Sequence, residues 1–189
     1  MLPELIERNK RMKEEANQVL HENKVLQILE KYGKPHISGS YALDLMTWRD
    51  LDIYLQMDCL DEQSFFDLGA ELCKTLYPVR MQFRDERLAK TYGLPDGFYW
   101  GIYLGNEREG AWKIDVWAVS AQECERLLAY CNGIKSQLDD SKSNAILSIK
   151  SQCWQDPEYR RIYSSTDIYE AVLRGGIRDL EGLWKYLDG

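Results

Sequence analysis

Gly39-Ser40-Tyr41-Ala42-Leu43-Asp44-Leu45-Met46-Thr47-Trp48-Arg49-Asp50-Leu51-Asp52-Ile53-Tyr54-Leu55 places a small-residue turn and two carboxylates within one short unit. Over residues 51–56, apolar Leu51, Ile53 and Leu55 alternate with polar neighbours, the period of a strand with one buried face. Asp50 and Asp52 therefore leave the opposite face together. Residues two apart on a strand are separated by about 6.6 Å, so their oxygens can converge on a pair of divalent cations about 3.5 to 4 Å apart. Hard carboxylate oxygens suit magnesium (Mg2+). The two histidines, His21 and His36, are too few and too scattered for a zinc site.

Upstream, Pro35-His36-Ile37 forms a short apolar approach to the turn. Gly39 lets the backbone come close to a ligand, and the Ser40 hydroxyl with nearby amides can bond phosphate oxygens. Residues 41–45 fit a helical turn whose N-terminus points at the same anion.

Gly39-Ser40, nine intervening residues, then Asp50-Leu51-Asp52 entering an apolar strand resembles the signature of the DNA polymerase beta-like nucleotidyltransferase superfamily, most of all its small members. The resemblance spans roughly residues 30 to 120. It implies an α/β (α+β) fold, a mixed sheet with flanking helices, followed here by a helical C-terminal part. It implies a third carboxylate from a later strand, here Asp115. The implied reaction moves a nucleoside monophosphate from a nucleoside triphosphate, expected to be ATP, onto an acceptor hydroxyl and releases pyrophosphate. Gly39 and Ser40 would bind the nucleotide, Asp50 and Asp52 would hold both of two magnesium ions, and Asp115 would hold the one nearer the acceptor. Helices after the third-carboxylate strand often present a lysine to the triphosphate in that superfamily; Lys135, Lys142 and Lys150 are candidates, though a lysine at such a place is more often a surface residue. Asp44 is a departure, standing where many small members carry glycine or a basic residue.

Each piece alone is weak. A Gly-Ser pair is common, and Asp-x-Asp at a strand start is often a solvated turn. For Asp115, the alternation Lys113, Asp115, Trp117 against Trp112, Ile114, Val116, Ala118 leaves a plainer alternative, an ion pair with Lys113 on an exposed face. Trp117 lines a cleft or simply packs. Taken together, the spacing and the third acid favour an active site.

The 189-residue chain is 44% hydrophobic and 12% aromatic, enough to build a core. It contains no apolar run of membrane-spanning length and no secretory apolar segment near Met1, so a cytoplasmic protein with no membrane partner is expected. Five cysteines without a Cys-x-x-Cys pair suggest buried small hydrophobes rather than disulfides or zinc ligands. A net charge of -7 disfavours long nucleic acid as a partner and favours a small-molecule acceptor.

Periodicity predicts helix over residues 2–32, a helix over 63–76, a strand over 79–83 and a loop over 84–97. Arg84, Arg87 and Lys90 in that loop read first as a solvated basic patch. Strands over 98–104 and 111–119 flank Gly105 to Gly110 and suggest an antiparallel hairpin. Helices are expected over 121–131, 136–153 and 167–187, the last split at Gly175-Gly176. The change of pattern sets the boundary between residues 1–120 and 121–189. Two rival readings remain open: a non-catalytic nucleotide-binding or toxin-antitoxin interaction module, and a two-metal hydrolase.

Overall fold

In the computed structural model, which describes residues 2–188, the chain forms a mixed α/β fold: a five-stranded mixed sheet flanked by helices, with further helices toward the C-terminus. The strands are β1 (Lys34–Ile37), β2 (Asp50–Gln56), β3 (Arg80–Asp85), β4 (Gly97–Tyr103) and β5 (Lys113–Val119), in the order β1-β2-β5-β4-β3. Only β2 and β5 run parallel; every other neighbouring pair is antiparallel. The expected hairpin is present as β4 and β5.

Alternation decides which face is which. Leu51, Ile53 and Leu55 of β2, Ile114, Val116 and Ala118 of β5, and Phe98, Trp100 and Ile102 of β4 point into one core. That core is closed by α1 (Leu2–Asn17), α2 (Val25–Leu29) and α4 (Glu62–Leu76). The Asp61 side chain accepts a hydrogen bond from the Ser64 amide and so caps the start of α4. The other sheet face carries Asp50 and Asp52, with Lys113 and Asp115 beside them.

This second face is roofed by the C-terminal helices α6 (Ala121–Lys135), α7 (Asp140–Cys153), α8 (Ser165–Leu173) and α9 (Leu180–Asp188), after the short turns α3 (Gly39–Ala42) and α5 (Glu86–Ala89). Their apolar residues enclose Leu43, Leu45 and Trp48 from the segment between the turn and β2. Among the described residues, no helix is long and apolar enough to cross a membrane.

Several expectations are corrected. The single helix over 2–32 is three pieces: α1 leads into a π-helical turn, Gln18–Glu22, and Lys24 at φ 59° breaks the path before α2. Pro35-His36-Ile37 is not merely an approach but edge strand β1, paired with β2. The 84–97 loop contains α5, and its arginines pair with local acids, Arg84 with Glu86 at 2.5 Å and Arg87 with Asp85 at 2.8 Å. Cys124, Cys131 and Cys153 are buried, but Cys59 and Cys73 are exposed. The last helical pattern is split around Gly175-Gly176 as expected, into α8 and α9.

Candidate active site

The register of β2 and β5 sets four side chains in a square: Asp50 opposite Lys113, and Asp52 opposite Asp115. Three corners are acidic and the fourth is an ammonium. These residues, with Gly39 and Ser40, line one cleft of about 290 Å3. All five residues expected from sequence are thus brought together.

Gly39 has φ +58°, a conformation that disfavours any side chain. A β-carbon there would lie only 2.0 Å from Oδ2 of Asp52. The turn and the second carboxylate are therefore built against each other. No side chain caps the N-terminus of α3, so the turn presents its first amides without an internal acceptor from Ser38. Ser40 is buried, and its carbonyl accepts from the Leu45 amide at 2.8 Å.

The segment between turn and strand is anchored from several sides. The buried Asn9 side chain donates to the Asp44 carbonyl and accepts from the Met46 amide, both at 2.8 Å. Asp44, at φ 59°, pairs with Lys13, which accounts for an acid at that place without any contact to ligand. Arg49 makes a two-pronged contact to Glu15, at 2.6 and 3.0 Å, and donates to the Gly110 carbonyl at 2.9 Å. The chain thus enters Asp50 from a fixed position.

Asp115 is held by two donors. Tyr99 Oη donates to its Oδ1 at 2.8 Å, and Lys113 Nζ bonds its Oδ2. Gly101, directly across the ladder from Asp115, makes room for the first contact, because a β-carbon there would meet Tyr99 Oη at 2.4 Å. Lys113 Nζ also lies 3.5 Å from Oδ1 of Asp50. Trp117 packs on Tyr99 with ring centroids 4.6 Å apart rather than forming the cleft wall.

Electrostatically the site is poorer in positive charge than its acids require. Burial, then the nearby Asp50 and Asp115, push the Asp52 carboxyl up to about 8. Asp50 is raised as well, chiefly by burial, with Lys113 pulling in the opposite direction. Burial works against the charge on Lys113, but Asp115 and Asp50 outweigh it and hold the ammonium well above its ordinary range. Burial raises the Tyr99 hydroxyl, and the negative charge of Asp115 raises it further, so it stays a donor.

None of the lysines expected at the triphosphate lines the cleft. Lys135 is exposed, Lys142 pairs with Asp139 at 3.1 Å, and Lys150 is buried, donating to the Leu45 carbonyl at 2.7 Å. Lys150 is instead a strut between α7 and the loop before Asp50. The cation facing the cleft from the C-terminal side is Arg160, whose guanidinium carbon lies 4.4 Å from the centre of the Trp48 ring. Its turn is fixed by Arg108, which donates to the Asp156 and Tyr159 carbonyls at 2.7 and 3.1 Å. Ser164, Ser165 and Thr166 at the N-terminus of α8 complete that side, with Tyr130 and Tyr169 forming an aromatic wall. Sequence carried no period or spacing that marked Arg160 or these tyrosines; Lys113 was visible only as a neighbour of Asp115.

Among the described residues, no group of three or more histidine, cysteine, aspartate or glutamate side chains forms a ready-made cage for a metal. The donor chemistry fits magnesium at Asp50 and Asp52, whose oxygens are hard and where burial, then the charge of Asp50, leaves the Asp52 carboxyl raised. At Asp115, Tyr99 and Lys113 already engage one oxygen each. No protein-family model matches this chain and no curated protein matches it, so the resemblance rests on the residues of the cleft alone.

Proposed function

We propose that this chain is a magnesium-dependent nucleotidyltransferase of the DNA polymerase beta-like type, moving a nucleoside monophosphate from ATP to the hydroxyl of a small-molecule acceptor in the cytoplasm. The observation that carries the reading is the contact between Gly39 and Asp52. It ties a phosphate-suited turn to a buried acid inside one cleft, which a merely solvated Asp-x-Asp would not need.

In this reading the amides at the start of α3 and the Ser40 hydroxyl bind phosphate oxygens, and Arg160 with the N-terminus of α8 meets the phosphate chain from the opposite side. Asp50 and Asp52 hold the magnesium. When bound, that ion supplies Lewis acidity to the α-phosphoryl group and lowers the pKa of a coordinated hydroxyl. The bond from the acceptor oxygen to the α-phosphorus forms as the bond to pyrophosphate breaks, and the acceptor proton is released. Tyr130, Tyr169 and Trp48 offer stacking and apolar surface for the nucleoside or the acceptor. The protein's negative charge supports a small acceptor over long nucleic acid.

The test is incubation with α-phosphate-labelled nucleoside triphosphates, magnesium and pooled metabolite, drug and protein acceptors. A labelled acceptor with stoichiometric pyrophosphate is the expected result. Release of orthophosphate would instead indicate a hydrolase, and magnesium-dependent nucleotide binding without any product across the pools would favour a binding module.

A further inference from the structure

From the four-cornered arrangement of β2 and β5, we infer that the site takes a single divalent cation, at Asp50 and Asp52, and that the ammonium of Lys113 stands in for the second ion implied by the resemblance. This rests on the reading of Asp50 and Asp52 as the metal ligands.

Three observations carry it. First, the position is built, because Lys113 is almost fully buried and sits in register between Asp50 on one neighbouring strand and Tyr103 on the other. Its Nζ lies 6.0 Å from the centre of the Tyr103 ring, so the ammonium is surrounded by acceptors and an aromatic face rather than by water. Secondly, both oxygens of Asp115 already accept a hydrogen bond. Tyr99 donates to one and Lys113 to the other, and Gly101 has no side chain where the tyrosine needs space. A metal ion at Asp115 would compete with a buried ammonium that, among the described residues, pairs otherwise only with Asp50. Thirdly, the charge closes. Once an arriving metal ion has displaced the Asp52 proton, three carboxylates and one ammonium leave two negative charges, which one divalent cation neutralises, whereas two such cations would leave the cluster positive before any phosphate arrived.

Lys113 is thus a positioning residue for Asp115 and a fixed positive charge beside Asp50. Its consequence is persistence: the ammonium cannot be chelated away, so the one positive charge of Lys113 remains at low magnesium when the two of the metal ion are lost.

The test counts ions without relying on turnover. Manganese alone is titrated into the full chain, and the free ion is followed by electron paramagnetic resonance. The expected result is one bound ion per chain, lost in Asp52→Asn, and two in Lys113→Met, with Lys113→Arg keeping one. Two ions on the unaltered chain would overturn the role of Lys113 while leaving the metal reading of Asp50 and Asp52 intact, and this outcome does not depend on any variant folding. A folded Lys113→Met chain that still binds one would overturn it too. No bound manganese on the unaltered chain would bring down both readings together.

Discussion

The carboxylate of Asp52 packs against the α-carbon of Gly39 and fills the volume that a side chain at residue 39 would require. Gly39→Ala therefore meets two obstacles at once. The left-handed backbone costs about 1 to 2 kcal/mol for an L-residue, and the new methyl group must push Asp52 out of the cleft. The expected outcome is a folded protein of lower melting temperature that no longer binds nucleotide in a magnesium-dependent way, measured by thermal denaturation and calorimetry. Unchanged affinity would show that the position of Asp52 is irrelevant to nucleotide.

Asp52 also makes stability depend on pH. Its folded carboxyl stands at about 8 against an ordinary 3.8, so between those values the folded chain keeps a proton that the unfolded chain has lost. Stability of the metal-free protein should fall as pH rises from about 4 through about 8, because deprotonation favours the unfolded state there. Lys150, lowered mainly by burial from 10.5 to about 8, acts in the opposite direction above that window, where its unfolded form binds the extra proton. Calorimetric melting from pH 5 to 8 should show the decline, and Asp52→Asn should flatten it. An unaltered slope in that variant would assign the dependence to other groups.

The two acids at the corners of β2 and β5 should respond oppositely to neutralisation. Asp52→Asn removes a repelled charge and should raise the melting temperature above neutral pH. Asp115→Asn leaves Lys113 short of its nearest partner, and breaking a buried ion pair costs about 3 to 5 kcal/mol. Denaturant midpoints for the two variants provide the comparison; a stabilised Asp115→Asn would mean that Asp115, too, is an uncompensated acid.

Ser40→Ala removes one donor to a charged oxygen and leaves the backbone amides in place. Nucleotide affinity should weaken by about 1 to 2 kcal/mol. If calorimetry shows no loss while the melting temperature drops, the hydroxyl serves the fold and not the ligand.

Asn9 touches no part of the cleft, yet its amide holds both Asp44 and Met46. Asn9→Ala would strand the buried Met46 amide, at about 1 to 3 kcal/mol, and free the Asp44 carbonyl. A loss of stability accompanied by weaker nucleotide binding is expected, since the turn and Asp50 lie at the two ends of the segment it clamps. Full affinity in this variant would show that the loop keeps its shape without the clamp.

Alternation made the acids legible. Leu51, Ile53 and Leu55 placed Asp50 and Asp52 on the polar side of one strand, Ile114, Val116 and Ala118 placed Asp115 on the polar side of another, and the sheet has all three acids on the same face. The same pattern could not tell that the two strands are neighbours, because parallel partners need no turn between them. β1 escaped notice since its four residues include Pro35 and follow Gly33, both signals of a loop, and its pairing with β2 alone makes it a strand. The break at Lys24 is a left-handed residue with no glycine to announce it. Lys150 read as a surface residue because a lysine is seldom fully buried; its carbonyl partner at Leu45 comes from more than a hundred residues away and leaves no trace in local composition.

β2 and β5 are adjacent in space but Asp50 and its partner Lys113 are 63 residues apart in the chain. Closing so long a segment is entropically unfavourable until β3 and β4 have formed between them. Before that docking, Asp50 and Asp52 lack the ammonium and are simply two acids on a solvated hairpin with β1. The charge balance of the cleft therefore belongs to two distant stretches of chain, and a newly made chain can acquire it only after β5, which ends at Val119, has emerged and joined the sheet.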